Sequence, residues 1–433
     1  MSHEWRNWAG DQACRPAILE RPRAQAEVAD ALERARRAGH VVRVAGAGHS
    51  FTDTVLTDGT MLSLERMNRV LDVDRGSGQV RVEAGITLDR LSAALYDHGL
   101  ALENLGDIAV QSIAGATATG THGTGARLPN LSANLRSLEL TLAHGSVLEV
   151  DERSDPEAWR AARVSVGALG VVTAVTLQTV PAFTLEGVEA PRPLDEVLEN
   201  LDELVDGNEH FEFFTFPHSP LAMTRTNNRV DLAAEPRSPV REWMDDVLLR
   251  NHAFHAVTTL GRARSGLIPR LNRLVSRVGG RSHRVDRSYR IFATPRRVRF
   301  TEMEYAIPRV HAAEAVRAVR AVSERREYAV SFPLEVRWVA PDDALLSPAC
   351  GRETCYIAVH MFHGMPWEPY FRAVEEVMDG YDGRPHWGKR HFQDAETLAP
   401  RYPGWDRFAA VRARLDPEGR FTNAYVERVL GRS

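Results

Sequence analysis

A histidine and two glycines follow a short apolar segment near the start of the chain. Residues 41–44 predict a strand, and Gly46, Gly48 and His49 come directly after it. Glycines let the backbone come close to a flat or anionic ligand, and an imidazole nitrogen can bond to an electrophilic carbon. A dinucleotide fingerprint of the Gly-x-Gly-x-x-Gly type would need a third glycine at Phe51. The segment is therefore interpreted as a flavin-attachment loop rather than a Rossmann turn.

A second loop, residues 111–125, consists almost entirely of glycine, alanine, serine and threonine. Its backbone N–H groups and hydroxyls would suit phosphates and the polar edge of a flavin. The alternative is a packed core strand with a glycine-rich turn. Side chains this small bury little apolar area over so long a stretch, and this favours a backbone-lined groove.

An acid and a guanidinium alternate with apolar residues in 333–339. The two-residue period of a strand places Glu335 and Arg337 on one face, where the pair could orient a polyol or a lactone. A structural salt bridge on an exposed face explains the pair equally well. His360, on the next predicted strand, is either a core histidine or part of the wall of a substrate pocket.

Lys389 is the one lysine among 54 basic residues. Arginine is forked and lysine is a compact point charge, so a site that needs a small donor beside a cofactor ring would retain lysine. Near a flavin, its charge would stabilise the reduced anion. The alternatives are that Lys389 is an ordinary exposed lysine in a loop, or that one lysine has survived by chance. His98, His122 and His144 lack metal-ligand spacing, and no metal is predicted.

The chain has 433 residues, of which 43% are hydrophobic and 26% charged, and this predicts a globular enzyme of two domains. No secretory signal is recognised at its start, and no apolar run approaches the roughly 18 residues of a membrane span. A cytoplasmic location is therefore expected. Cys14, Cys350 and Cys355 lack disulfide or metal spacing and are expected to be ordinary buried thiols.

Residues 250–299 hold thirteen arginines and a single acid, Asp286, although the formal net charge of the chain is −4. A solvated face of an arginine-rich protein is the favoured interpretation of this segment. Docking to an anionic membrane surface or to an acidic redox partner is the alternative. The overall charge gives no attraction to nucleic acid, and no nucleic-acid partner is expected.

Short helices and strands alternate in the predicted first part of the chain. Helical spacing predicts a helix over 25–38 and another over 88–95 with Thr87 as its N-cap. Beyond Pro181 longer strands are predicted, and few intervals suit a parallel crossover, so an antiparallel sheet with helices on one face is expected. The predicted strands of that part are 211–216, 289–292, 300–307, 334–339 and 356–362, and the helices lie near 309–326, 368–379 and 405–415.

With these segments in place, the chain resembles the vanillyl-alcohol-oxidase-type (VAO/PCMH) flavoproteins. Within them it is similar to the sugar-1,4-lactone oxidoreductases that act on L-gulono-1,4-lactone or D-arabinono-1,4-lactone. The matching motifs follow the family's order along almost the whole chain. They are Gly-Ala-Gly-His-Ser (46–50), Gly-Ala-Thr-Ala-Thr-Gly-Thr-His-Gly-Thr-Gly (115–125), Phe-Thr-Glu-Met-Glu-Tyr-Ala-Ile-Pro (300–308), Glu-Val-Arg (335–337) and Pro-His-Trp-Gly-Lys (385–389).

The resemblance implies an α+β protein of the VAO/PCMH fold. Residues 1–180 would form an FAD-binding domain to which residues 395–433 return, and residues 181–394 a substrate-binding cap domain with an antiparallel sheet covered by helices. FAD would be attached covalently through His49, at its 8α-methyl carbon. Doubly tethered relatives add a cysteine in the second loop, but residues 104–125 contain none, so a single bond is expected.

The resemblance also implies which residues form the site. The implied catalytic positions are Ser112, Glu335, Arg337, His360 and Lys389, with Glu335 and Arg337 binding substrate hydroxyls. The implied FAD contacts are His49, Ala45, Gly46, Ala47, Gly48, Ser50, Phe51, Gly106, Ser112, Gly115, Ala116, Thr119, Gly120, Thr121, His122, Gly123, Val172, His386 and Lys389.

The implied reaction passes a hydride from C2 of an aldonolactone to flavin N5, and the 2-keto lactone then enolises to ascorbate or an analogue. An alditol oxidase is the nearest alternative. Such relatives place a hydroxyl residue two positions after the histidine that matches His360, whereas this chain has Phe362 there, and this favours a lactone. An NADPH-dependent reductase of enolpyruvyl sugar nucleotides and a non-enzymatic flavin-binding subunit are more distant alternatives.

The implied partners are a small sugar lactone or polyol and an electron acceptor. The acceptor is dioxygen, a cytochrome or a quinone, and the residues do not distinguish among them. Peripheral contact with a membrane is left open by the arginine-rich segment.

Overall fold

The structure is a computed structural model that describes residues 4–238, 243–244, 251–278 and 280–432. Arg250 of the arginine-rich segment lies outside the described residues.

Short strands of the first part of the chain form a parallel sheet and an antiparallel one. The parallel sheet has the order β3-β5-β4, and the five-stranded antiparallel sheet has the order β10-β9-β11-β7-β6. The strands are β1 (Trp5–Arg6), β2 (Ala13–Cys14), β3 (Ile18–Glu20), β4 (Val42–Ala45), β5 (Thr60–Ser63), β6 (Val70–Asp74), β7 (Gln79–Glu83), β8 (Leu100–Ala101), β9 (Leu135–Thr141), β10 (Val147–Asp151), β11 (Val171–Gln178) and β12 (Val180–Pro181).

The helices between these strands are α1 (Gln25–Arg37), α2 (Leu88–Asp97), α3 (Ile113–Ala118) and α4 (Pro156–Ala162). Two of these four, α1 and α2, agree with the predicted helical spacing, and α3 and α4 were not predicted. Thr87 lies at the N-cap of α2, but its side chain makes no capping hydrogen bond. It lines the cleft described below instead, so its predicted capping contact is wrong.

The remaining strands form one eight-stranded antiparallel sheet with the order β16-β13-β15-β14-β18-β19-β17-β20. The predicted antiparallel sheet is therefore confirmed. Its strands are β13 (Thr184–Pro193), β14 (His210–Thr215), β15 (Leu221–Val230), β16 (Ser282–Arg287), β17 (Phe300–Pro308), β18 (Leu334–Val339), β19 (Thr354–Phe362) and β20 (Arg384–Pro385).

One predicted strand is a helix. Residues 289–292 belong to a short helix in which Ser288, Ile291 and Phe292 are buried, and this spacing fits a helical turn better than a strand's alternation. The helices of this part are α5 (Leu194–Glu199), α6 (Leu201–Asp206), α7 (Phe254–Ala263), α8 (Ile268–Val278), α9 (Ser288–Phe292), α10 (Ala312–Ser323), α11 (Glu368–Asp379), α12 (Ala395–Leu398), α13 (Trp405–Leu415) and α14 (Ala424–Leu430).

The two faces of the eight-stranded sheet differ in polarity because side chains alternate along each strand. On one face, Phe213 of β14, Val336 of β18 and Ile357 of β19 share a hydrophobic core with α10 and α11. The opposite face carries buried polar side chains from neighbouring strands. These are Glu212, Glu302, Glu304, Glu335, Arg337 and His360.

The end of the chain packs against its first part. Phe408 of α13 and Val426 of α14 belong to the same core cluster as Leu88 and Val175. Asn423 Nδ2 donates to the carbonyl oxygen of Asp53, 2.9 Å away. These contacts agree with a returning tail, and the division into residues 1–180, 181–394 and 395–433 stays a prediction.

Within the described ranges, no helix combines the length and the apolar character that crossing a bilayer requires.

Cys355 is buried, whereas Cys14 and Cys350 are partly exposed. The expectation of three buried thiols is therefore wrong for two of them, and Cys14 is partly exposed because β2 pairs with β1 alone among the described strands.

Candidate active site

The predicted attachment loop follows β4 and is held by close backbone contacts. A Cβ atom at Gly46 would lie 2.6 Å from Ser112 Oγ, and Gly48 has φ +71° with Trp5 next to it. Side chains at these two positions would collide or strain the backbone, which explains both glycines. The Phe51 N–H donates to the carbonyl oxygen of Gly388 over 2.7 Å, so the loop touches the segment that carries Lys389.

A large cleft opens beside this loop. Its empty volume is about 1290 Å³, including the part open to solvent. Several predicted cofactor contacts line it, and the segments Leu64, Ala84–Gly85 and Ser165–Val166 line it without having been predicted. The predicted residues that line it are Ala45, Gly46, Ala47, Gly48, His49, Ser50, Ser112, Gly115, Thr119 and Val172.

The second loop contains a short helix, α3, and is not a backbone-lined groove along its whole length. Ser112 precedes the helix, and its Oγ accepts a hydrogen bond from the Gly115 N–H. The remaining predicted contacts of this region lie outside the lining of the cleft. They are Gly106, Ala116, Gly120, Thr121, His122 and Gly123, and their contact with a cofactor stays a prediction.

Glu335 and Arg337 lie in a buried charge cluster, not on an exposed face. They are 6% and 7% exposed, and their side chains form an ion pair. Arg337 Nε also donates to Glu212 Oε2 over 2.7 Å, and Asp107 Oδ1 lies 3.5 Å from an Arg337 nitrogen. The interpretation as an exposed salt bridge is therefore excluded.

Lys389 enters the same region from the loop after β20. Its Nζ lies 2.5 Å from Glu302 Oε1 and 3.9 Å from Glu304 Oε2. His360 Nε2 lies 3.5 Å from Glu302 and 3.8 Å from Glu335. His360 thus connects the Glu335–Arg337 pair to the lysine and is not an isolated core histidine.

Two further histidines, His122 and His386, lie close to the Glu304 carboxylate. His122 stacks on Tyr356 with ring centroids 3.7 Å apart, and its Nε2 lies 3.4 Å from Glu304 Oε1. His386 Nδ1 accepts a hydrogen bond from the Gly388 N–H, 3.0 Å away. Both rings approach the Glu304 carboxylate that lies 3.9 Å from Lys389 Nζ, while neither lines the cleft.

Burial and neighbouring charges shift the proton affinities of this cluster in opposite directions. Burial raises the pKa of Glu335 to about 7, against the charge of Arg337. Burial lowers the pKa of Lys389, but the charges of Glu302 and Glu304 outweigh it and raise the value above its usual range. The pKa of His360 is also raised, because Glu302 and Glu335 outweigh burial. Near neutral pH, Glu335 can therefore be protonated and neutral while Lys389 and His360 beside it carry their positive charges.

Two groups of buried side chains have the close spacing of metal ligands. They are His122, Glu304 and His386, and Glu302, Glu335 and His360. Lys389 contacts a carboxylate of each group, and its ammonium supplies the positive charge that a metal ion would bring to them. The site is therefore best described as an ion-pair cluster.

Sequence reasoning missed several members of this cluster, namely Asp107, Glu212, Arg296, Glu302 and Glu304. Arg296 and Asp107 form an ion pair, and Glu302 pairs across the sheet with His360. The signal was present in β17, where two acids alternate with apolar residues in the segment 300–308.

Family models match most of the chain. Residues 16–151 match the model of the FAD binding domain, and residues 175–429 match that of D-arabinono-1,4-lactone oxidase. By overall fold, the chain is similar to cholesterol oxidase from Brevibacterium sterolicum, with a TM-score of 0.83, 17% identity and coverage of 99% of this chain and 97% of that one. This likeness concerns the fold, which is that of the VAO/PCMH flavoproteins.

Curated relatives span the chain from end to end. L-gulono-1,4-lactone dehydrogenase of Mycobacterium tuberculosis is 53% identical over 431 residues, with 100% of both chains covered. L-gulonolactone oxidase of Bos taurus is 36% identical, with coverage of 99% and 98%. Alditol oxidase of a Streptomyces species is 31% identical, with coverage of 99% and 100%. The chain belongs to the D-arabinono-1,4-lactone oxidase family and is an FAD-dependent oxidoreductase.

Proposed function

We propose that the protein oxidises an aldono-1,4-lactone, such as L-gulono-1,4-lactone, at its C2 hydroxyl. The observation that carries this proposal is the buried contact chain Arg337–Glu335–His360–Glu302–Lys389, beside a loop that contacts Gly388. Such a chain offers hydrogen-bond acceptors and donors to a small hydroxylated ring. The names of the relatives support a lactone, and the product would be ascorbate or an analogue after enolisation of the 2-keto lactone.

The residues of the cleft fit an FAD. The glycines at 46 and 48 leave room for its close approach, and both line the cleft. When bound, FAD would supply the acceptor for the hydride. Ser112, which lines the cleft, and Lys389 would contact the polar edge of its ring.

We further propose that His49 is joined covalently to the 8α carbon of FAD. Burial, followed by the charge of Lys389, lowers the pKa of His49 to about 4. The imidazole is therefore neutral near pH 7, which is the form with a free electron pair for bond formation. A covalent bond would keep the cofactor in place and raise its potential, which would ease oxidation of an unactivated alcohol.

The protein side chains would divide the work of binding and proton transfer. Arg337 would donate to the substrate hydroxyls, and Glu335, which is paired with Arg337 through Oε1 and lies 3.8 Å from His360 through Oε2, would accept from the C2 hydroxyl. That hydroxyl would give up its proton to the Glu335–His360 pair or to water. Lys389 would stabilise the negative charge that develops on the reduced cofactor.

An alditol oxidase remains the second candidate, because one full-length relative bears that name. Phe362 is 3% exposed, and it stacks against Phe332 at 6.3 Å, beside His360. An aromatic wall at this position offers no hydroxyl to a flexible polyol and suits a flatter lactone ring.

We also propose a peripheral membrane contact through α7 and α8. Leu260, Leu274 and Val278 are 44%, 57% and 73% exposed. Arg270, Arg273 and Arg277 lie exposed on the same helical segment. Exposed apolar residues among arginines suit an anionic bilayer surface, where a quinone or a cytochrome would be available as electron acceptor. Dioxygen is the alternative acceptor.

The test is anaerobic mixing of the purified protein with a panel of substrates, followed by admission of air. L-gulono-1,4-lactone or D-arabinono-1,4-lactone is expected to bleach the flavin absorbance rapidly, whereas NADPH is not. Bleaching by xylitol or sorbitol but by no lactone would establish the alditol reaction instead. The rate of colour return in air then measures the reactivity toward dioxygen.

A further inference from the structure

The hairpin of β1 and β2 packs on the predicted attachment histidine. The Trp8 ring stacks on the His49 ring, with centroids 5.1 Å apart and an interplanar angle of 21°. Over the described ranges, no side chain or backbone group hydrogen-bonds to the His49 imidazole. The stack on Trp8 is the one aromatic contact of this ring among the described residues, and it restrains the orientation of the ring.

The same hairpin holds the backbone on both sides of His49. The Trp8 N–H donates to the Gly48 carbonyl oxygen over 2.8 Å. Asn7 Nδ2 donates to the Ser50 carbonyl oxygen over 3.1 Å, and Gln12 Nε2 donates to that of Phe51 over 3.2 Å. The loop is thus clamped before and after the histidine, and this leaves ring rotation to be set by the stack.

Trp8 is itself held from the opposite side. Its ring meets Phe300 edge to face, with centroids 5.4 Å apart. Asp11 of the hairpin forms an ion pair with Arg390 at 2.7 Å, directly after Lys389 in the chain. The tryptophan is therefore fixed between the attachment loop and the eight-stranded sheet.

We infer that Trp8 is a positioning residue for the covalent attachment of the flavin, because it holds the His49 ring against the wall of the cleft. This inference rests on the attachment proposed above. In the step, a bond forms between a His49 nitrogen and the 8α carbon of FAD, and one N–H and one C–H bond are broken. The two electrons and two protons released pass through the flavin to dioxygen, which becomes hydrogen peroxide.

The test compares attachment rates in full-length apoprotein made in a riboflavin-limited host. FAD is added in air, samples are precipitated with acid, and the attached fraction is measured from flavin absorbance and intact mass. Trp8→Ala should attach FAD about three- to tenfold more slowly, equivalent to about 0.6–1.4 kcal/mol. Trp8→Phe should restore most of the rate, because it keeps an aromatic face. Trp243→Ala, which removes a tryptophan that is 52% exposed, is the matched control.

A second measurement separates positioning from a general loss of structure. The affinity for FAD is measured in His49→Ala and in the Trp8→Ala/His49→Ala double variant, neither of which can form the bond. The two affinities should agree within about threefold, a difference of about 0.6 kcal/mol. Attachment by Trp8→Ala at the wild-type rate, or a weakened affinity that accounts for its slower attachment, would overturn the inference.

The wild-type protein shows which proposal fails. If its acid pellet contains no flavin, the attachment and the positioning by Trp8 are both overturned. The loss of flavin absorbance on mixing with a lactone is measured separately, and it tests the proposed oxidation independently of the attachment.

Discussion

Lys389 Nζ lies 2.5 Å from Glu302 Oε1, and the same carboxylate lies 3.5 Å from His360 Nε2. Glu302 is directly opposite His360 in the pairing of β17 with β19. The Glu302 carboxylate therefore orients both the lysine and the histidine. Its negative charge also keeps Lys389 protonated although the site is buried.

Lys389→Ala is expected to slow flavin reduction by the lactone about 100-fold, because a charged group beside the reacting atoms is worth a few kcal/mol. The dissociation constant for FAD should change far less, since the glycine-lined cleft is intact. Stopped-flow absorbance measures the first quantity and fluorescence titration in a His49→Ala background the second. Arg372→Ala, which removes an exposed cation from α11, is the control. An unchanged reduction rate would place Lys389 outside the reaction.

The rate of flavin reduction should rise with pH and level off above an inflection near pH 7. Burial raises the pKa of Glu335 to about 7, and only its ionised form can accept the substrate proton. The rate is therefore low below this value and high above it. Glu335→Gln should react slowly and lose the inflection. Persistence of the same inflection in Glu335→Gln would assign it to another group.

His49→Ala should release the yellow colour from acid-precipitated protein, while wild-type protein keeps it in the pellet. The variant removes the nitrogen that forms the bond but leaves Gly46 and Gly48, so it should still bind FAD reversibly. Gel filtration before acid treatment measures that reversible binding. A colourless wild-type pellet would show that the bond is absent.

Phe362→Thr should raise the ratio of kcat/KM for xylitol to kcat/KM for L-gulono-1,4-lactone by about three- to tenfold, the range of one neutral hydrogen bond. Phe362→Leu removes the ring without adding a hydroxyl and is the matched control. An equal change in both variants would show that space, and not hydrogen bonding, sets the preference.

Vesicles that contain anionic phosphatidylserine should sediment the protein, and vesicles of phosphatidylcholine alone should not. Adding salt should weaken the interaction, because the arginines act through screened charge. Leu274→Asp/Val278→Asp should reduce sedimentation. Val310→Asp introduces one such charge at a side chain that is 83% exposed elsewhere and serves as control. Equal sedimentation of all three proteins would exclude α8 as the contact.

Sequence reasoning identified Glu335, Arg337, His360 and Lys389, which the structure brings into one cluster, but it did not identify the acids around them. The glycines around His49, the pair at 335 and 337 and the single lysine carried enough information because their residue types are unusual in those positions. Glu302 and Glu304 were visible as alternating acids, but strand register decides which of them faces His360, and register comes from long-range pairing. The contact of Trp8 with His49 depends on the placement of a two-stranded hairpin, which short-range patterns do not encode.

The helix at 289–292 illustrates the same limit. Four residues rich in apolar and aromatic side chains predict a strand by propensity alone. In the fold, β16 already ends at Arg287, and a helical turn brings Ile291 and Phe292 into the core. Tertiary packing overrides local preference in so short a segment.

The last part of the chain completes the region around the attachment loop. Asn423 Nδ2 donates to the carbonyl oxygens of Asp53 and Leu56, Arg43 donates to that of Phe421, and the Tyr425 hydroxyl donates to that of Trp387. A ribosome synthesises residues 421–425 more than 350 residues after the loop they support. The nascent polypeptide therefore completes the surroundings of its attachment loop only after residues 421–425 have been synthesised.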